Sequence, residues 1–387
     1  SIASVTMKID VTAVNDLPMA VADTNAVTED ATLSVDVANG VLVNDTDVDA
    51  GSTRTVTAVQ GVTTNVGTAT TLASGAVVTL NTDGSYEFVP GETLDVGETA
   101  KEVINYTITD DQGATSTSTL TITVTGVNDV PTATGTTVTA TEDTALEFAV
   151  ADFGFADVDT SDQLNSITVT TEPSKGTLTL SGSSVDSGQS ISRSDIVAGN
   201  LKFTPAANAN GTDYDSFKFT VNDGTADSSA SSTMTIDVTA VNDLPTGTDK
   251  TVTATEDTAF VFTVADFGFS DVDSGAQLQS IAVTTLSSKG TLTLNDSAVD
   301  EDQSISRSDI VDGNLKFTPA ANANGTGYDS FKFTVNDGTA DSSASSTLTI
   351  NVTAVNDAPL AAADTNAVTE DATLSVDAAN GVLVNDT

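Results

Sequence analysis

Along most of the chain, apolar residues alternate one by one with threonines, serines and other polar residues. The clearest run is 119–127, where Leu120, Ile122 and Val124 fall on one side and Thr119, Thr121, Thr123 and Thr125 on the other. A side-chain period of two, carried by β-branched residues, predicts a strand with one buried face. The same reading predicts strands at 31–37, 76–80, 85–89 and 103–109. It then predicts strands at 137–141, 146–150, 166–171, 176–180, 200–204, 215–221 and 232–239. Asn-Asp, Asp-Gly and Gly-rich turns lie between them. No stretch sustains a helical period. Seven short strands within about 114 residues predict an antiparallel β-sandwich of immunoglobulin-like type. Phe148, Phe203, Phe217, Phe219 and Ile236 are its expected core residues.

The strand pattern is itself repeated. A Val-Asn-Asp triplet followed by an apolar residue and Pro recurs at Val14, Val127, Val241 and Val355, a spacing that fits a whole small domain. Complete repeats are predicted at 14–126, 127–240 and 241–354, with an incomplete one at 355–387. The third copies the second closely: 199–212 reappears unchanged as 313–326. The first is a cousin, with Tyr86-Glu87-Phe88-Val89-Pro90 standing where the second has Leu201-Lys202-Phe203-Thr204-Pro205. Residues 355–387 restart this first type, differing from 14–46 only at 17, 19, 21 and 37. Residues 1–13 read as the last strand of a preceding repeat, because 3–11 parallels 230–238; the true N-terminus and any export signal are expected beyond this window. These end pieces lack sheet partners and are expected to be mobile or to borrow an edge. No Gly/Ser-rich linker separates the repeats, and a Pro follows each junction, which predicts a semi-rigid rod.

Composition narrows the function. With 12 Lys+Arg against 55 Asp+Glu, the net charge is −43, a surface that repels nucleic acid and anionic membranes and attracts cations. There is no Cys and no His, which removes disulfides, thiolate chemistry, the usual zinc sites and any nucleophile–His pair. No apolar run is long enough for a spanning helix, so no direct membrane insertion is expected. Paired carboxylates can hydrolyse glycosides, but here they recur in every repeat, as structural sites do, and no Gly-x-Ser-x-Gly elbow or phosphate loop is present; the chain is read as no enzyme. A calcium-dependent carbohydrate-binding module is an alternative, weakened by the lack of Trp and by strand-like positions for Tyr86, Tyr106, Tyr214 and Tyr328. A self-assembling extracellular fibre, with other copies joined by strand addition, is another. Lys175, Arg193, Lys202 and Lys218 are expected to be solvated surface charges.

Four acidic elements recur at fixed places. The junction pairs are Asn15/Asp16, Asn128/Asp129, Asn242/Asp243 and Asn356/Asp357. A Thr-Glu-Asp tripeptide follows each, carrying Glu29, Glu142, Glu256 and Glu370. An Asp-Val-Asp loop supplies Asp47/Asp49, Asp157/Asp159 and Asp271/Asp273, and the pairs Asp110/Asp111, Asn222/Asp223 and Asn336/Asp337 stand just before the last strand. Asn and Asp before Gly or Pro are also ordinary turn formers that satisfy local backbone groups, and for the last element alone turn chemistry is the better reading. The joint recurrence of the others predicts a Ca²⁺ site, since this hard cation takes about six to eight oxygen ligands from carboxylates, Asn side chains and carbonyls; Mg²⁺ favours tighter octahedral sites. The Glu is expected at the same pole as the Asp-Val-Asp loop, and the loop before the last strand at either pole. A shared ion would remove the cost of gathering carboxylates and tie neighbouring repeats of the chain together.

The Val-Asn-Asp-x-Pro junctions, the Thr-Glu-Asp segments, the Asp-Val-Asp loops and the phrase Phe217-Lys218-Phe219-Thr220-Val221-Asn222-Asp223-Gly224 resemble the cadherin-like tandem repeats of giant bacterial surface adhesins, the RTX and VCBS-repeat class. The resemblance spans essentially the whole sequence. It implies a secreted, calcium-rigidified extender between a cell-surface anchor and a distal adhesive head, working in cell adhesion and biofilm formation and exported by a type I system. Cadherins place calcium ligands in an Asx-rich junction, an early Glu and an Asp-x-Asp loop, and the residues above match those places. The long Asx-rich junction of vertebrate cadherins and the Gly-rich nonapeptide of RTX β-rolls are both missing.

Overall fold

The computed structural model describes residues 4–91 and 93–386. The chain divides into two compact units, one ending at Thr239 and one beginning at Ala240. The first unit holds two sandwiches. In the first repeat one sheet runs in the order Asp23–Thr28, Thr115–Thr125, Thr99–Asp110, Arg54–Val59, and the facing sheet Leu33–Val35, Tyr86–Val89, Val77–Leu80, Thr70–Thr71. The second repeat pairs Thr136–Thr141, Ser232–Thr239, Gly211–Asn222, Ser166–Thr171 and Ser190–Ser192 in one sheet. Its other sheet is Leu146–Glu147, Leu201–Thr204, Thr177–Leu180, Ser183–Ser184. The third repeat, in the second unit, reproduces this arrangement strand for strand, from Lys250–Thr255 to Ser346–Thr353.

One pair in each repeat departs from the antiparallel expectation. The first strand runs parallel to the last: Asp23 lies opposite Leu120 and Thr28 opposite Thr125, with Thr136–Thr141 and Lys250–Thr255 placed likewise. The first strand forms the sheet edge beside the last strand, and both run towards the same end. The residue that follows the first strand therefore arrives where the repeat ends.

Each sandwich is held by the inward positions of its alternating strands. Leu120, Ile122 and Val124 are buried, as are Phe148, Phe203, Phe217, Phe219 and Ile236. Phe153 and Phe219 meet edge to face at 5.1 Å, and Phe267 and Phe333 do the same in the third repeat, contacts worth about 0.5–1.5 kcal/mol beyond their burial. All four tyrosines are buried. The predicted strand 31–37 shrinks to Leu33–Val35 because Asp36 caps a 3₁₀ turn at Val37–Asn39. The predicted strand 146–150 stops at Glu147, where Val150–Phe153 turns to drop Phe153 into the core. A five-residue helix, Arg193–Val197, is too short to show a period in the sequence and is started by the Ser192 hydroxyl. Two of the expected surface cations make contacts: Lys175 lies over the Tyr214 ring at 5.3 Å, and Lys202 pairs with Glu147 at 2.8 Å.

Residues 4–13 are exposed and form no strand; 1–3, which the sequence reading joins to them, lie outside the described residues. No strand forms among the described residues from 355 to 386 either. No helix is long and apolar enough to cross a membrane among the described residues.

Candidate metal centre

The opening pole of each complete repeat is built in the same way. In the first, the Asn15 side chain donates to Asp110 Oδ2 at 2.9 Å, and the Asp16 amide donates to Asp49 Oδ2 at 2.8 Å. The second and third poles repeat both bonds: Asn128 to Asp223 at 3.1 Å and the Asp129 amide to Asp159 at 2.8 Å, then Asn242 to Asp337 at 3.0 Å and the Asp243 amide to Asp273 at 2.9 Å. The Asp-Val-Asp loop folds on itself each time, the second Asp amide donating to the first carboxylate (Asp49 to Asp47, Asp159 to Asp157, Asp273 to Asp271) at 2.9–3.1 Å. The loop before the last strand, which the sequence allowed at either end, thus stands beside the junction pair. Asp223 Oδ1 also takes the Thr225 and Ala226 amides, so turn chemistry and membership of the acidic cluster coexist in one residue.

The glutamates stand at the other end of their own repeats, which corrects the expectation that each shares a pole with its Asp-Val-Asp loop. Glu29, Glu142 and Glu256 each donate their amide to the last residue of the final strand, Thr125, Thr239 and Thr353, at 3.0–3.1 Å. The parallel pairing of the first strand carries them there. Glu29 accordingly takes the Val127 amide at 3.0 Å, at the junction that opens the second repeat, and Glu256 takes the Val355 amide at 2.5 Å. Glu142 is buried, with its Oε2 held by the Asn210 side chain at 2.8 Å.

Between the first and second repeats these pieces converge. Asp157, Asp162 and Asp223 each offer a carboxylate oxygen, all within 4.8 Å of one another. Partial burial pushes the Asp129 carboxyl up, and the charges of Asp30, Glu29, Asp159 and Asp157 push it further. Asp162 is raised by burial and then by Asp159, Asp157, Asp223 and Asp95. Burial also acts to raise Asp223, but the Ala226 and Thr225 amides and the Asn128 side chain outweigh it and hold the group below its ordinary range. Neighbouring carboxylates that disfavour one another's charge are what a divalent cation relieves. The donor set is all oxygen, as Ca²⁺ requires. A further observation fits an ion: Asp157 Oδ2 is shut off from solvent with no hydrogen-bond partner, and so are Asp271 Oδ2 in the third repeat and Asn15 Oδ1 in the first. A buried oxygen left without a donor costs roughly 1–3 kcal/mol.

Asn356, Asp357 and Glu370 are exposed and are not gathered into such a pole. Conversely, Asp162 and Asp95 join the cluster without belonging to any of the recurring acidic elements. Asp162 corresponds to Ser52 and Ala276 in the other repeats, so a search for recurring acids passes over it. Ser52 instead donates to Asp47 at 2.8 Å and to Asp111 at 3.1 Å.

Three family models match in tandem: a bacterial cadherin-like domain over residues 15–126, a bacterial Ig domain over 128–239 and a cadherin-like domain over 241–353. None of the three is a catalytic family. A search of curated proteins found no match. Among solved structures, the Protocadherin GammaB4 extracellular domain is similar at 17% identity and a TM-score of 0.50, covering 92% of this chain and 53% of that one. Protocadherin Gamma B2 extracellular cadherin domains 1–5 are 18% identical (TM-score 0.49, 89% and 62% covered). Mouse Cadherin-23 EC22–24 is 16% identical (TM-score 0.44, 88% and 100% covered). The chain therefore spans only about half to three fifths of the two protocadherin structures, and at these identities the likeness is one of fold. With its β-sandwiches and three consecutive family matches, the chain carries tandem bacterial cadherin-like and Ig-like domains, consistent with the cadherin-like repeats of bacterial surface proteins.

Proposed function

We propose that this chain is a calcium-stiffened extender of a secreted bacterial adhesin, a spacer that sets an adhesive head away from the cell surface in adhesion and biofilm formation. The observation that carries the reading is the pole that recurs in every complete repeat, with a buried carboxylate oxygen left without a donor at Asp157 and again at Asp271. At the first junction Asp157, Asp159, Asp162 and Asp223 of the second repeat, with Asn128 and Asp129 of the connection and Glu29 of the first repeat, would hold the ion. Calcium, when bound, supplies positive charge that cancels the mutual repulsion of these groups. The chain's own part is to place acids from two domains around one connection with main-chain hydrogen bonds, so that bending there would separate them from a shared ion. Extracellular placement on a bacterial cell follows from the same reading, as does the lack of a catalytic role: the acidic groups are repeated structural positions. Small-angle scattering of the full chain tests it. Calcium should raise the thermal midpoint and lengthen the maximum dimension relative to chelator, and no change in either would overturn the proposal.

A further inference from the structure

The first junction carries a set of contacts that need no ion. Beyond the strand Tyr86–Val89 the first repeat has a loop, 93–98, that the second and third repeats replace with the shorter 206–210 and 320–324. The Leu94 amide donates to Glu29 Oε2 at 2.6 Å, while Glu29 Oε1 takes the Val127 amide at 3.0 Å. The Val96 amide crosses into the second repeat and donates to Asp159 Oδ1 at 2.9 Å, while Asp159 Oδ2 takes the Asp129 amide. Asp95 in turn accepts from the second repeat, from the Thr160 amide at 2.6 Å and from the Thr160 hydroxyl at 2.9 Å. Donors therefore cross the junction in both directions. Glu29, Asp159 and Asp95 each have both carboxylate oxygens engaged, and Asp159 is only 1% exposed. Charge-assisted bonds of this kind are the stronger class.

An independent feature fits the same loop. Gly126 exchanges main-chain bonds with it, its carbonyl taking the Gly97 amide at 3.1 Å and its amide reaching the Glu98 carbonyl at 2.9 Å. A methyl group on Gly126 would run into the carbonyl oxygens of Leu94 and Asp95, backbone atoms that cannot swing aside. At the same place before each other Val-Asn-Asp triplet the chain has alanine: Ala13, Ala240 and Ala354. The second and third repeats satisfy the equivalent glutamates with the side chains of Asn210 and Asn324 instead of a loop amide. Glycine and loop go together.

We infer that the 93–98 loop is a clasp that docks the first repeat onto the second without metal, with Asp95 as its positioning residue and Gly126 as the opening that admits it. The clasp stands on these contacts alone and does not rest on the calcium reading. Its bonds already hold Glu29 and Asp159 in place, so calcium would find this junction assembled.

Hydrogen exchange on the full chain in chelator tests it. The amides of Leu94, Val96 and Thr160 should be protected in the absence of calcium. Asp95→Ala should speed exchange of Thr160 by roughly ten- to a hundredfold, the loss of a bond to a charged acceptor, with Ile104 and Ile108 in the strand Thr99–Asp110 unchanged. Gly126→Ala should release Leu94 and Val96 together. Thr160→Val, which removes only the hydroxyl donor, should give a smaller acceleration and serves if the glycine variant fails to fold. If these amides exchange freely in chelator and become protected only with calcium, the ion makes the junction and the clasp is overturned; so too if Asp95→Ala leaves Thr160 unchanged. Protection in chelator supports the clasp whether or not calcium adds to it; the calcium reading stands or falls separately, on the thermal midpoint and maximum dimension.

Discussion

Two aspartates of the second repeat, one buried and one half-buried, show how surroundings decide what a carboxylate does. Asp215 accepts the Ser174, Lys175 and Gly176 amides at 2.7–2.9 Å and is 7% exposed. Burial acts to raise its pKa, but these amides and that of Ser216 outweigh it and hold it below the ordinary value; Asp329 does the same in the third repeat. Asp157, by contrast, keeps an oxygen with no donor. Asp215 is thus a finished structural group, and Asp157 one that fits a cation. Asp215→Asn replaces an acceptor by an amide facing donors and should destabilise the second repeat by about 2–3 kcal/mol in chemical denaturation at pH 7. Because the folded pKa is depressed, this contribution is complete above the unfolded value of about 3.9 and is lost as pH falls through the lower folded value. The gap between wild type and variant should therefore close below about pH 4, and a gap that persists there would show that packing, not charge, sets the cost. The sequence marks Asp157 through its recurrence in all three complete repeats, whereas Asp215, matched only by Asp329, reads as one more residue at a strand start.

At the level of elements, the alternation of Leu120, Ile122 and Val124 was enough to locate a strand, because a two-residue period is a property of local backbone geometry. Strand partners are not local. The parallel register of Asp23 with Leu120 is what sends Glu29 to the far end of its repeat, and nothing in the Thr-Glu-Asp tripeptide states it. The short helices were equally hidden: in Arg193–Val197 and Arg307–Val311 five residues begin from a serine hydroxyl that accepts the third helical amide. Ser192→Ala should cost about 1 kcal/mol of stability in the second repeat, measurable as a shifted denaturation midpoint at unchanged slope; no shift would mean the helix is held by Ile196 in the core alone. The aromatic layer weighs more. Phe219→Ala, at the meeting of Phe153 and Phe217, should cost about 3–5 kcal/mol, enough to unfold a marginal domain.

Across the molecule the dominant fact is a net charge of −43, which opposes compaction unless counter-ions gather. Sodium chloride should raise the thermal midpoint modestly by screening. Calcium should do so at far lower concentration if it binds the poles: a hundredfold excess over Kd gives about 2.7 kcal/mol per site, or roughly 10–20 °C for a domain of this size. Replacing both Asp157 and Asp162 by Asn should remove most of that calcium-induced rise in the second repeat while leaving the midpoint in chelator equal or slightly higher, since two repelling charges are gone. A full calcium response in the double variant would place the ion elsewhere.

The amino-acid sequence by itself determined the repeat, the all-β class, the core residues and the recurring acids, because period and composition are written along the chain and each repeat folds by local rules. Only the tertiary structure decided which acids meet. It carried Glu29 away from Asp47 and Asp49 and towards Asp129, brought in Asp162 and Asp95, which recur nowhere else, and set Gly126 against a loop some thirty residues earlier. Those meetings depend on strand direction and on close approach between main chains, and neither leaves a periodic trace.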